Sequence, residues 1–101
     1  MAGPDEAVLV ADQRGRFVFA SAAACRILGY SAEELLRLTI RDTYAPDEMD
    51  LSELRFREMQ RGRQQRFRRR ARRKDGVYIL VEVDSKMLED GRYRFMMRAI
   101  E

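Results

Sequence analysis

The chain has 101 residues, a formal net charge of +3 and an apolar fraction of 46%, which suits one globular domain with a single core and argues against disorder. No apolar run approaches the ~20 residues of a membrane-crossing helix, and the N-terminal Met-Ala-Gly-Pro-Asp-Glu lacks the order of a signal peptide. One cysteine, Cys25, excludes an internal disulfide and suits a reducing compartment, so the cytoplasm is the expected location.

Ala7–Ala11 and Arg16–Ala20 are short apolar runs separated by a turn containing Asp12 and Gly15, which predicts a β-hairpin. Ser21 stands where an N-cap belongs, and Ala22–Leu28 reads as a helix closed by Gly29. Ser31-Ala-Glu-Glu34 is a capping box opening a short helix through Leu35 and Leu36. Pro46, followed by Asp47 and Glu48, suits the start of a helix running to about Arg61 and stopping at Gly62. Beyond it the period changes to two. Phe67 and Ala71 mark one face of a strand, Val77, Ile79, Val81 and Val83 alternate after the Asp75-Gly76 turn, and Asp90-Gly91 precedes a last strand from Tyr93 to Ile100. Two strands, several helices and three strands give an α+β fold, a five-stranded antiparallel sheet with the helices on one face.

Charge is unevenly spread. Residues 1–60 carry seven basic and eleven acidic side chains, a net of −4, whereas residues 61–101 carry thirteen and six, a net of +7. Clustered arginine can bind phosphates or an acidic partner, but between Arg61 and Lys74 only Phe67 offers a ring for base stacking, which disfavours nucleic acid. Placing Ala71 across from Val81 sets Arg70 opposite Glu82 and Arg68 opposite Asp84, so cross-strand ion pairs absorb part of the charge. By alternation Arg69 points inward with Phe67 and Ala71. It must then reach the rim, pair with an acid of the 47–58 helix, or meet an anionic ligand.

The stretches Asp12-Gln-Arg-Gly15-Arg-Phe-Val-Phe-Ala-Ser21, Leu28-Gly29-Tyr30-Ser31 and Arg73-Lys74-Asp75-Gly76 resemble, in order and spacing, a PAS (Per-Arnt-Sim) sensory domain. The resemblance covers about Ala7 to Ile100, within a single domain spanning 1–101. It differs at Ser21, where the family usually has Asn, and at Ala99-Ile100-Glu101, where it often has an Asp-Ile-Thr-like junction to an output domain. It implies a non-catalytic sensing or relay module in a larger signalling protein, such as a sensor kinase or cyclic-dinucleotide enzyme. A purely structural dimerisation module and a nucleic-acid adaptor using Arg61–Lys74 are the alternatives.

The absence of histidine excludes a His-ligated haem, a Cys/His zinc site and any nucleophile–His pair. Ala24-Cys25-Arg26-Ile27-Leu28 is similar to the flavin-bonding motif of light-oxygen-voltage domains. It precedes Tyr30-Ser31, whereas in that family the motif follows the equivalent turn, so Cys25 reads as an ordinary helix residue. A ligand, whose identity the sequence leaves open, would lie against Leu9, Phe17, Ala71, Val81 and Met97, with Tyr44 and Arg69 to orient it. Phe17, Phe19, Tyr93, Phe95 and Met97 all compete for that inner face, which favours a small cavity over one holding flavin. With Phe19 turned inward, Val8, Val10, Val18, Leu80, Met96 and Ile100 remain on the outer face. That face is apolar enough to predict a homodimer.

Overall fold

The computed structural model describes residues 6–100. The strands are β1 (Ala7–Ala11), β2 (Phe17–Ala20), β3 (Gln65–Arg72), β4 (Tyr78–Met87) and β5 (Tyr93–Ala99). They form one antiparallel sheet in the order β2-β1-β5-β4-β3. Between β2 and β3 lie helices α1 (Ala22–Leu28), α2 (Ala32–Leu35) and α3 (Met49–Gln60), with 3-10 turns at Ile40–Thr43 and Pro46–Glu48. The fold class is as expected. The helix foreseen from Pro46 is divided, because Pro46–Glu48 winds as a 3-10 turn before α3 begins.

The predicted caps form. Ser21 Oγ accepts from Ala24 N and from Val8 N, at 3.3 and 2.8 Å, so one hydroxyl starts α1 and ties it to β1. Ser31 Oγ accepts from Glu34 N while Glu34 returns a carboxylate to Ser31 N, closing the capping box of α2. At the first 3-10 turn Asp42 Oδ2 accepts from Thr39 N at 2.8 Å and from Thr39 Oγ1 at 3.2 Å. The core lies between the sheet's inner face and the helices. It holds Leu9, Phe17, Leu28, Leu35, Met59, Val81, Val83, Tyr93 and Phe95, and Phe56 of α3 meets the Tyr93 ring edge-on at 5.0 Å.

Two expectations about the strands are corrected. Phe19 does not face inward. A bulge in β2 leaves Val18 unpaired, so Phe17 lies opposite Ala11 while Phe19 lies opposite Val10. The extra residue turns Phe19 to the outer face, where it is 51% exposed. The β3–β4 register also differs: Ala71 lies opposite Ile79, Arg70 opposite Leu80, Arg68 opposite Glu82 and Arg66 opposite Asp84. The cause is the turn. Gly76 N donates to Arg73 O and Arg73 N to Val77 O, centring the connection on Asp75. A type I turn followed by a left-handed residue fits this three-residue loop, and Gly76 has φ 85°. Val77 closes the loop opposite Arg73, just before β4, and is 55% exposed. The displacement is two residues, so inward and outward faces are preserved; a single-residue slip would have exchanged them.

Candidate functional site

Leu9, Phe17, Tyr44, Arg69, Ala71, Val81 and Met97, the ligand-contact residues expected from sequence, are all buried. Only Tyr44 and Met97 among them line one of the main clefts, and those clefts open at the surface. Along the inner face the buried side chains form one contiguous cluster among the described residues.

Arg69 is buried, at 3% exposure, so it does not reach the rim, and it forms no ion pair with an acid of the 47–58 helix. Its Nη1 donates to Thr43 O at 2.7 Å and to Arg70 O at 3.2 Å, and its Nη2 donates to Thr43 Oγ1 at 2.9 Å. The guanidinium carbon sits 3.9 Å from the centroid of the Tyr44 ring, a cation–π arrangement. Thr43 Oγ1 donates in turn to Ile40 O at 2.7 Å, which fixes the hydroxyl as acceptor towards Arg69. Burial lowers the Arg69 pKa to about 10, partly opposed by Tyr44 and Glu48, and the side chain stays charged at neutral pH. Its hydrogen-bonding capacity is thus directed at the 3-10 turn, which it fastens to β3. A Tyr44–Ala71 bridge reinforces the same junction. Thr43, missed in the sequence, carried no motif of its own; the Thr39-x-x-Asp42 box just before it was the available signal.

The hairpin tip makes a second link between helices and sheet. Lys74 N donates to Leu28 O at 3.0 Å, satisfying a carbonyl at the end of α1. Arg73 Nη1 donates to Ile27 O at 2.9 Å, and Lys74 Nζ pairs with Glu34. That ion pair, with the Ser31 amide, lowers the Glu34 pKa from 4.5 to about 2.

The arginine run is largely neutralised. Arg61 and Arg63 pair with Glu58, Arg66 with Asp84, Arg68 with Glu82, Arg70 with Asp47 and Glu48, Arg73 with Asp75, and Lys74 with Glu34. Arg70 therefore turns to the helix side, its Nη2 lying 2.5 and 2.6 Å from the Asp47 carboxylate oxygens. Glu48 also accepts Arg70 N at 3.1 Å, covering part of the open edge of β3. Burial would raise the Asp84 pKa, but hydrogen bonds from Gln64 and Arg66 hold it below its ordinary value.

The outer face is divided rather than uniformly apolar. Around β3 and β4 it carries two charged triplets, Arg66–Asp84–Arg94 and Arg68–Glu82–Arg98. Around β1 and β2 lie Val8, Val10 and Phe19, with Met96 of β5 directly across from Val8. Val18 and Leu80 are 40% and 42% exposed, while Val8, Val10, Met96 and Ile100 are half-buried. Cys25 is free and half-buried on α1, packed against the core. Glu101, part of the junction triplet, lies outside the described residues.

A five-stranded antiparallel sheet with short helices inserted after its second strand defines a class of small α+β module. The PAS fold family profile matches residues 4–100, and the chain belongs to that family. It is similar to a domain of a sensory box sensor histidine kinase/response regulator from Geobacter sulfurreducens, with a TM-score of 0.85, 20% identity, and coverage of 93% of this chain and 82% of that one. A PAS domain from a two-component sensor histidine kinase aligns with a TM-score of 0.79 at 27% identity, over 95% and 86% of the two chains. A structure from work on the light-oxygen-voltage domain mechanism with a flavin analogue aligns with a TM-score of 0.80 at 20% identity, over 95% and 78%. No curated protein matches the sequence.

Proposed function

We propose that the chain is a non-catalytic sensing or relay module of a larger signalling protein, of the sensor-kinase or cyclic-dinucleotide-enzyme type. The carrying observation is the pair of links between helices and sheet: Arg69 to Thr43, and the Arg73–Lys74 tip to α1 and α2. A packing change on the helical side would reach β3 and β4 through these links, and β5 through the sheet. A ligand entering the inner face would displace Leu9, Phe17, Ala71, Val81 or Met97, which favours a small molecule over flavin. Arg69 would have to leave Thr43 to meet it.

We further propose that the outer face is a homodimer surface. Val8, Val10, Val18, Met96, Leu80 and Ile100, joined by Phe19, would meet their counterparts about a two-fold axis. The apolar half would form the centre of the contact, and the charged half, with its excess of arginine, would lie at the rim. The extensive pairing of the arginine run supports this reading over nucleic-acid binding. A purely structural dimerisation module is the second reading, favoured by the filled inner face. Native mass spectrometry distinguishes them: a dimer retaining a small molecule supports sensing, a ligand-free dimer supports the structural reading, and a monomer defeats the dimer proposal.

A further inference from the structure

Nine basic residues lie between Arg61 and Lys74. Seven enter ion pairs and Arg69 is buried against Thr43, which leaves Arg72 as the one with neither role among the described residues. Arg72 is exposed and stands directly opposite Tyr78 across the hairpin. Both line a cleft of about 280 Å³ together with Tyr30, Tyr44, Leu38 and Met49. Three of the chain's four tyrosines thus line the same cleft as Arg72, Tyr44 being the buried one. The remaining charged groups of the cleft are engaged: Arg41 pairs with Glu53 at 3.2 Å, and Asp42 accepts from the Thr39 amide and hydroxyl. Arg72 is therefore the cation of the cleft without an ion pair among the described residues, and the Asp42 carboxylate in the same wall is turned through Oδ2 to Thr39.

We propose that this cleft binds a small aromatic carboxylate, with Arg72 holding the carboxylate and Tyr30 and Tyr78 flanking the ring. A guanidinium presents a planar pair of donors matching both oxygens of a carboxylate. Tyrosine rings supply offset or edge contacts to a second ring at little conformational cost. A volume just below the ~300 Å³ of the smallest drug-sized sites suits one ring with one acidic group. The walls come from three places: the α1–α2 connection at Tyr30, the 38–49 segment, and the β3–β4 hairpin. An occupant would touch the same elements that Arg69 and Lys74 join, independently of any ligand in the core.

The test is an amide NMR titration of the whole chain with benzoate, set against acetate, benzyl alcohol and inorganic phosphate. Benzoate is expected to give saturable shifts centred on Tyr30, Tyr44, Arg72 and Tyr78, while acetate and benzyl alcohol fail to saturate. Loss of a charge-assisted bond predicts that Arg72→Gln weakens benzoate binding by roughly tenfold or more, with Arg68→Gln within about twofold of the parent. Tyr78→Leu, a second exposed position, should also weaken it. No saturation by about 10 mM benzoate overturns the proposal. So does an equal response to phosphate, which would mark charge attraction alone, or an affinity indifferent to Arg72→Gln.

Discussion

Arg69 is the buried member of the links between the helical segment and the sheet. It gives up solvent for a carbonyl, a hydroxyl and an aromatic face rather than for a carboxylate. Truncation would leave Thr43 without its donor and a void beneath Tyr44, so Arg69→Ala should destabilise by about 2–4 kcal/mol in urea unfolding. Arg69→Lys should also destabilise, by about 1–2 kcal/mol, because an ammonium cannot reproduce the fork that spans both Thr43 oxygens. A variant as stable as the parent would show that the fork contributes nothing. Glu34 gives a pH signature. Its folded pKa, held near 2 by Lys74 and the Ser31 amide, lies below its ordinary 4.5. The stabilisation is therefore complete above its unfolded pKa and disappears as pH falls through the folded one. Asp47, Asp84 and Asp90 are shifted in the same direction. The urea midpoint should fall as pH drops from about 5 towards 2, and Glu34→Gln should make that decline shallower. A midpoint that ignores pH across this window would contradict the assignment.

At the scale of elements, the β3–β4 hairpin shows what sequence could convey. Alternation placed Ala71, Val81 and Val83 on the inner face correctly, because the hydrophobic period depends only on parity. It could not decide between registers two residues apart, and the Lys74-Asp75-Gly76 loop makes that choice. Gly76 at φ 85° has open space around it, so the cost of Gly76→Ala is conformational alone, about 1–2 kcal/mol. A neutral substitution would mean the loop rearranges without loss. The β2 bulge was illegible for a related reason: Phe17-Val18-Phe19-Ala20 is apolar throughout, so no polar residue marked the position where the period breaks. The caps at Ser21 and Ser31 were legible because their chemistry is local. The partner of Arg69 and the cluster around Arg72 were not, since each joins residues tens of positions apart through tertiary packing.

For the whole molecule, the division of the outer face is the main consequence. Arg66, Arg68, Arg94 and Arg98 share Asp84 and Glu82 on one half, which keeps an excess of positive charge. The β1–β2 half, extended by the turned-out Phe19, presents apolar side chains without helical cover among the described residues. A helix packed on the inner face cannot shield it, so the proposed relay would pass between two sheets facing each other. The most direct test is sedimentation velocity of the domain at tens of micromolar beside Val18→Glu and Met96→Glu. The account predicts a dimer for the parent and monomers for both variants, each keeping the parent's far-ultraviolet circular dichroism. A parent that sediments as a monomer at that concentration, or variants that remain dimeric, would contradict it.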